Sequence, residues 1–311
     1  MKKAIVFGSF VVDLMARTPH LPKPGETVKG SMFAQGPGGK GFNQAIAAKR
    51  AGADVIMATK LGQDTLASVA TDKLESENMT LECVFKTEKA STGTAIIMVD
   101  ENSGQNEIVV TLGACDTFDD EDIRKIAPYI AERDILLTQL ETNVDAVKSV
   151  ISLAKQNGVY VILNPAPVQQ ISDDVYKQID IITPNEVEAS ILTGIEIKDE
   201  NDAKRAAEVF FEKGVTNVII TLGKKGALIA TKDSFELIKN YDVAVLDTTG
   251  AGDAFNGGLL AALCEGMDII NAAKFANIVS NLAVTRLGTS NAMPSREEID
   301  EFRKNNTVGG D

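Results

Sequence analysis

The chain has 311 residues, 44% hydrophobic and 24% charged, with 31 lysines and arginines against 44 aspartates and glutamates. That is ordinary globular composition, which excludes a disordered, collagenous or low-complexity chain and leaves length for one large or two smaller domains, each with a substantial core. A formal charge of −13 repels phosphate backbones and anionic lipid, so neither nucleic acid nor membrane is an expected partner. An anionic small molecule remains open, because a local nest of backbone N–H groups holds one without net positive charge.

Three cysteines, Cys83, Cys115 and Cys264, lack CxxC spacing and are odd in number. They fit a reducing, cytoplasmic setting better than a disulfide framework or a structural zinc site. Lys2-Lys3 followed by mostly apolar residues to Val12 has the outline of a signal peptide, but Gly8-Ser9 interrupts the run and Asp13 closes it. No later stretch approaches the roughly 18 uncharged apolar residues of a membrane span. A buried first strand is therefore expected.

In chain order, residues 6–12, 27–33, 95–99 and 107–111 read as strands, with turn chemistry at Pro22, Pro24-Gly25 and between Asp100 and Gly104. A helical segment over 41–50 separates the first two from the others. The economical arrangement is a small β-sheet built from two insertions, 10–35 and 91–111. It would sit against a main α/β body of residues 1–9, 36–90 and 112–311.

From about residue 134, short β-branched runs alternate with helical-period segments, the signature of right-handed βαβ units around a mostly parallel sheet. Strands are expected at 135–138, 159–163, 179–183, 218–221, 227–230 and 243–246. Helices are expected at 144–156, 186–192 and 202–213, the last two followed by Gly194 and Gly214, and then near 253–264, 269–286 and 297–303. A short polar tail follows Lys304.

Two glycine-rich segments stand out. Asp247-Thr248-Thr249-Gly250-Ala251-Gly252-Asp253 opens an amphipathic helix with Phe255, Leu259 and Leu263 on one face. Small residues before a helix N-terminus let successive N–H groups converge where the macrodipole favours negative charge, which makes an anion hole. Asp253 in the first turn reads equally as a helix cap or as a base.

The second segment is Gly36-Pro37-Gly38-Gly39-Lys40-Gly41-Phe42-Asn43-Gln44. It contains GxGxxG, but residues 32–35 make a poor strand for a dinucleotide loop, and only Asp64 stands near the required acidic position. Nor is it a Walker A loop, since Gly41 follows Lys40. Its glycines read either as a plain turn or as a close approach of backbone to a polar ligand that Asn43 then hydrogen-bonds. Glu141, Asn164, Asn185, Glu188 and the stretch from Thr221 to Gly226 lie after successive strands, where open α/β sheets bind ligands. Taken singly, Glu141 and Glu188 are as readily solvated loop charges. The lone His20 allows no Ser/His/Asp triad.

On these residues, together with Ser91-Thr92-Gly93-Thr94, Leu163-Asn164-Pro165-Ala166-Pro167 and Ala283-Val284-Thr285-Arg286-Leu287-Gly288, the chain resembles the ribokinase-type sugar kinases of the phosphofructokinase B superfamily over almost its whole length. The resemblance implies a three-layer α/β/α fold with a mostly parallel central sheet and a small β-sheet lid that in many relatives is also a dimer clasp. It implies an ATP-dependent kinase acting on the O5 hydroxyl of ribose. Asp253 would be the base, with Gly250, Ala251 and Gly252 at the phosphates. Asp13, Gly39, Lys40, Asn43 and Glu141 would join Asp253 around the sugar. Asn185, Thr221, Gly223, Gly226, Gly252 and Asn277 would hold the nucleotide.

Asn185 and Glu188 would hold Mg2+ through water, and Asp247, Thr249, Ala283, Arg286 and Gly288 a K+ ion, with Ala292 standing where such kinases often carry a serine ligand. Val11 replaces an asparagine expected to meet a sugar hydroxyl. That departure opens 2-deoxyribose as a substrate, beside a nucleoside or a hexose phosphate. A catalytically silent sugar-binding protein and, more distantly, a dehydrogenase are the other readings.

Overall fold

The computed structural model describes residues 1–307. The first third contains β1 (Lys3–Phe7), β2 (Val11–Thr18), β3 (Met32–Gly38), α1 (Lys40–Arg50), β4 (Asp54–Gly62), α2 (Ala67–Ser76), β5 (Val84–Thr87), β6 (Gly93–Asp100) and β7 (Asn106–Thr111). There follow α3 (Asp120–Ala131), β8 (Ile135–Gln139), α4 (Val144–Gln156), β9 (Tyr160–Asn164), α5 (Asp173–Tyr176), β10 (Ile181–Ile182), α6 (Glu186–Thr193) and α7 (Glu200–Glu212). The chain continues through β11 (Asn217–Thr221), β12 (Ala227–Ala230), β13 (Phe235–Ile238), α8 (Ala251–Cys264), α9 (Ile269–Ala283) and α10 (Arg296–Thr307).

Nine strands form one sheet in the order β13-β12-β11-β10-β9-β8-β1-β4-β5, parallel except where β12 and β13 turn back at one edge. β1 shows why the sheet must be covered twice. Ala4 and Val6 join the core beneath α1, α8 and α9 with Phe42, Leu259 and Phe275, while Ile5 and Phe7 join the core beneath α3, α4 and α7 with Ile126, Val147 and Phe210. Strands buried on both faces read as continuous apolar runs, and helices on both faces complete the expected three layers. The other four strands form a separate sheet in the order β3-β2-β6-β7.

Several boundaries differ from the sequence expectation. The strand expected at 6–12 is two strands in different sheets, broken between Phe7 and Val11. There Gly8 meets α1: a Cβ at Gly8 would stand 2.7 Å from Gly41 Cα. The strand expected at 27–33 starts only at Met32 and runs on to Gly38, because its partner β2 pairs from Arg17↔Met32 to Val11↔Gly38. Pro37 is tolerated there because β3 is an edge strand.

Residues 243–246 form no strand. Leu246 and Asp247 instead donate their N–H groups to the Val284 carbonyl, and β13 takes the sheet edge. The strand expected at 179–183 shortens to Ile181–Ile182, and α9 ends at Ala283 rather than at Arg286. Helix α10 continues past Lys304 to Thr307; the remainder of the expected polar tail lies outside the described residues.

The contact that positions the site is the crossing of α1 and α8. A Cβ at Gly257 would lie 2.7 Å from both the Gln44 carbonyl oxygen and the Ala48 nitrogen. Backbone atoms cannot yield as a flexible side chain does, so overpacking there costs about 1–3 kcal/mol. Gly257→Ala is expected to lower stability by that amount in urea unfolding, and an unchanged midpoint would show that the crossing is not close-packed.

Candidate active site

Two helix N-termini converge over the carboxyl ends of the parallel strands. Gly39 precedes α1 with φ of 93°, and a Cβ there would stand 2.9 Å from Phe10 Cα, so both its conformation and its packing demand glycine. Having no side chain, Gly39 caps nothing. Glu141, just past β8, takes over: its Oε2 accepts the Lys40 backbone N–H at 2.8 Å and the Ser9 hydroxyl at 2.5 Å. Glu141 is therefore a structural anchor of α1 rather than a solvated loop charge, and it adds negative charge at a helix start.

At the other helix, Gly250 sits in the left-handed region with φ of 77°. Ala251 closes its N–H on the Thr248 carbonyl at 3.2 Å, so of the residues expected at the anion hole its N–H is engaged elsewhere. The N–H groups of Gly252 and Asp253 are left to face the mouth. A Cβ at Gly252 would meet nothing within 4 Å, which marks open space beside that mouth.

Asp253 lies where the two helices meet. Its Oδ2 accepts from the Asn43 amide and its Oδ1 from the Gln44 amide, each at 3.0 Å. Burial drives its pKa up; the Lys40 ammonium and the two amides work against that, while Glu141 adds to it, and the outcome is a raised value. The Asn43 Oδ1 is buried with no partner, an acceptor awaiting a donor such as a hydroxyl.

Asp13, at the start of the small sheet, is pushed up to about 6 by burial and by the charges of Glu141 and Asp253. Gly38 gives its carboxylate room, since a Cβ there would lie 2.5 Å from Asp13 Cγ. Lys40 is the cation among these carboxylates. Burial disfavours its charge, yet Asp253, Glu141 and Glu188 outweigh burial and raise its pKa.

Asn185 and Glu188 form a capping box on α6. Asn185 Oδ1 accepts the N–H groups of Val187 and Glu188 at 2.9 and 2.8 Å, and Glu188 Oε2 accepts the Asn185 N–H at 2.9 Å. Their spacing thus has a folding role whatever else they do. Burial raises the Glu188 pKa against the Asn185 N–H and Lys40.

Between α6, α8 and α9 lies a cavity of about 730 Å3 lined by Asn185, Thr221, Gly223, Gly226, Gly252 and Asn277. Its far wall, with Asn240, Tyr241, Val243, Val245, Ser280 and Asn281, escaped sequence reasoning because 243–246 resembles a strand. A signal was present in α9, where Asn277 and Asn281 stand one turn apart in an apolar helix. Asn277 Nδ2 donates to the Lys239 carbonyl at 2.9 Å and Asn281 Oδ1 accepts the Tyr241 N–H at 3.2 Å, which pins that wall.

Asp247 stitches its own loop to the segment after α9, accepting the Thr249 N–H at 2.9 Å and the Gly288 N–H at 3.0 Å. The Ala283 carbonyl accepts the Arg286 N–H, and the Arg286 guanidinium turns away to Glu298 at 2.6 Å, so Arg286 offers this loop only its carbonyl. Among the described residues no three His, Cys, Asp or Glu side chains cluster to hold a metal. A cation at this loop would meet only single carboxylates, carbonyls and water, a donor set that fits hard ions.

The remaining motifs resolve structurally. Asp64 accepts the Thr92 N–H and hydroxyl at 2.6 and 2.7 Å where β6 leaves the body, and Gly36 and Gly38 of the GxGxxG lie within β3 of the small sheet rather than in a loop after a strand of the main sheet, so neither half of the dinucleotide pattern stands. His20 pairs with Glu26 in an exposed loop. Val11 is buried at the start of β2 against Gly93. Sequence reasoning missed Ser9 and Gln44 as members of the site, although both stand inside segments it singled out.

The molecule is thus a three-layer α/β/α body with a small second sheet and a buried carboxylate at a helix N-terminus, an architecture shared by carbohydrate kinases. The pfkB family carbohydrate kinase profile matches residues 1–296, and the chain belongs to that family. It is 41% identical over 303 residues to a ribokinase of Haemophilus influenzae, covering 97% of this chain and 99% of that one. It is 37% identical over 298 residues to a deoxyribokinase of Salmonella typhi, covering 96% and 97%. The structure of an Arabidopsis thaliana ribokinase complexed with ribose and ATP superposes with a TM-score of 0.90 at 28% identity, over 97% of this chain and 99% of that one.

The raised pKa of Asp13 has a sign that can be checked. The folded state holds the proton up to about pH 6 while the unfolded chain releases it near 3.8, so stability falls between those values and the full cost stands above pH 6. Asp13→Asn is expected to be more stable than the parent at pH 8, by up to about 3 kcal/mol, with the difference gone below pH 4. Urea unfolding at the two pH values measures it, and equal stabilities throughout would refute the assigned burial of charge.

Proposed function

We propose that the protein transfers the γ-phosphoryl group of ATP to the O5 hydroxyl of D-ribose or a closely related pentose. The observation that carries this reading is the Asp253 carboxylate, buried in the first turn of α8, ringed by amide donors and set beside an unpartnered Asn43 oxygen. The ribose- and ATP-bound Arabidopsis relative and the Haemophilus ribokinase support the substrates.

On this reading Asp253 takes the proton from the hydroxyl as the phosphoryl group arrives. The raised pKa suits it to accept a proton at a late stage of a loose transition state. The mouth at Gly250, Gly252 and Asp253 receives phosphate oxygens, the Ala251 N–H being engaged by Thr248, and Lys40 offsets the charge that accumulates between them and the carboxylates. Asp13, Gly39, Asn43 and Glu141 hold the sugar hydroxyls, and the nucleotide occupies the cavity along Thr221, Gly223, Gly226 and Asn277.

Asn185 and Glu188 would hold Mg2+ through water, which supplies charge neutralisation at the phosphates; Glu188 Oε1 is the side-chain oxygen that the capping box leaves unused. Asp247, Thr249 and the carbonyls of Ala283, Arg286 and Gly288 would hold K+, with Ala292 giving at most its carbonyl. The small sheet acts as a lid that keeps water from the reaction. Its strands expose Phe33, Ile96 and Val109 on one face and Met32, Ile108 and Val110 on the other, which favours a homodimer through this sheet. Three buried free thiols fit a reducing cytoplasm. No helix among the described residues is long and apolar enough to cross a membrane.

Asp253→Asn is expected to lower sugar-dependent ATP turnover by about 10²–10⁴-fold while ATP still binds by calorimetry. Turnover close to the parent's would remove Asp253 from the role of base, and absence of turnover with every sugar in the parent would return the chain to a silent binding protein.

Val11 favours 2-deoxyribose as a second reading, because a buried valine offers no hydrogen bond to a sugar hydroxyl. An unpaired hydroxyl in a closed site costs about 1–3 kcal/mol. In a panel of pentoses, Val11→Asn is expected to raise kcat/KM for ribose relative to 2-deoxyribose by about tenfold or more. An unchanged ratio would show that position 11 does not read the sugar.

A further inference from the structure

Behind Asp253 lies a chain of buried side-chain amides that the reaction as described does not use. Asn164 Nδ2 donates to the Thr183 backbone carbonyl at 2.9 Å. A carbonyl only accepts, so this bond fixes which end of Asn164 is nitrogen and turns its Oδ1 toward Gln44. Gln44 Nε2 donates to that oxygen at 3.1 Å and to Asp253 Oδ1 at 3.0 Å. Gln44 Oε1 in turn accepts from Gln139 Nε2 at 2.6 Å. Thr183 extends the path, donating its hydroxyl to Asn256 Oδ1 at 2.6 Å, while Asn256 Nδ2 returns to the Gly252 carbonyl at 2.9 Å.

The orientations of Asn164, Gln44 and Gln139 therefore follow from one backbone group, the Thr183 carbonyl. The far end bears the cost: Gln139 Oε1 is buried without a partner. Rotating Gln139 to satisfy that oxygen would set it against Gln44 Oε1, and rotating Gln44 would set an oxygen against both Asn164 Oδ1 and the Asp253 carboxylate. An unsatisfied buried acceptor kept in place at the end of a chain indicates that the chain's direction is what matters.

We propose that Gln44 is a positioning residue for phosphoryl transfer: oriented by Asn164 and Gln139, its amide holds Asp253 ionised and keeps Oδ1 occupied, so that the base presents its other oxygen, beside Asn43, to the substrate. The inference rests on Asp253 as base. Asn43 differs from Gln44 in having a free acceptor for the sugar; Gln44 has none, as both its ends are engaged within the protein. The charged groups facing Asp253 are Lys40 from α1, Glu141 from the end of β8, Asp13 from β2 and Glu188 from α6. None of them contacts Gln44 in a recorded hydrogen bond or ion pair, so a Gln44 substitution leaves that set of charges intact.

The test is the pH profile of kcat in Gln44→Met and Gln44→Glu, with thermal melting and the KM for ATP measured alongside. Removing the donor is expected to move the acid limb up by about one pH unit, a tenfold loss of turnover well below it that recovers at alkaline pH, with KM for ATP within about twofold of the parent. In Gln44→Glu two carboxyl groups share the site and the limb is expected to move further. Equal loss at every pH, or a limb that stays in place in both variants, would overturn the proposal. Should Gln44→Met not fold, the Gln44→Glu profile decides by the same criterion. Asp253→Asn separates the two inferences: if it keeps turnover, the base assignment fails; if it abolishes turnover while the Gln44 limbs do not move, only the positioning role fails.

Discussion

Placing Asp253 at the crossing of α1 and α8 takes a carboxylate out of water, and an isolated buried charge is among the most expensive groups a fold can carry. The structure offsets this with two amides, one on each oxygen, and with Lys40 nearby. All three residues come from the first five of α1, so the carboxylate is held only if α1 and α8 approach closely and in one register. Gly257 allows that approach, while Gly8 and Gly41 let α1 lie close against the end of β1. Folding constraint and chemistry are thus one problem here, and a side chain at any of these glycines would act on both.

The same economy recurs around the cleft. Glu141 both anchors α1 and contributes charge, and the Asn185–Glu188 capping box starts α6 at the edge of the 730 Å3 cavity. The crowding of Asp13, Glu141 and Asp253 around Lys40 leaves the site short of positive charge. That electrostatic strain costs stability in the folded protein, and on the proposed function it is offset when a cation-accompanied polyphosphate binds.

The small sheet is joined to the body at the end of β1, at Gly38-Gly39, beside Asp64 and Thr92, and after β7. These junctions are short, and Asp64 fastens one of them with two hydrogen bonds to Thr92. A sheet tethered this way, with apolar side chains exposed on both faces, is what the proposed lid and dimer contact would use.

Much of this was legible from residue order alone. Helix spans such as Val144–Gln156 and the strand Ala227–Ala230 follow from periodicity, because burial on one stripe or on both faces leaves a pattern in sequence. The two glycine-rich segments announced themselves by composition, and Asp253 and Asn43 stood inside them. What residue order left open are matters of partnership. Whether 243–246 pairs as a strand depends on an edge that β13 already occupies; whether Glu141 is a loop charge depends on Ser9 and Lys40, far away along the chain; and Gln44 is an unremarked glutamine until Gln139, Asn164 and Asp253 surround it. Local propensity and hydrophobic period are written in neighbours along the chain, whereas hydrogen-bond satisfaction and pKa arise from groups more than a hundred residues apart that only the folded backbone brings within hydrogen-bond distance.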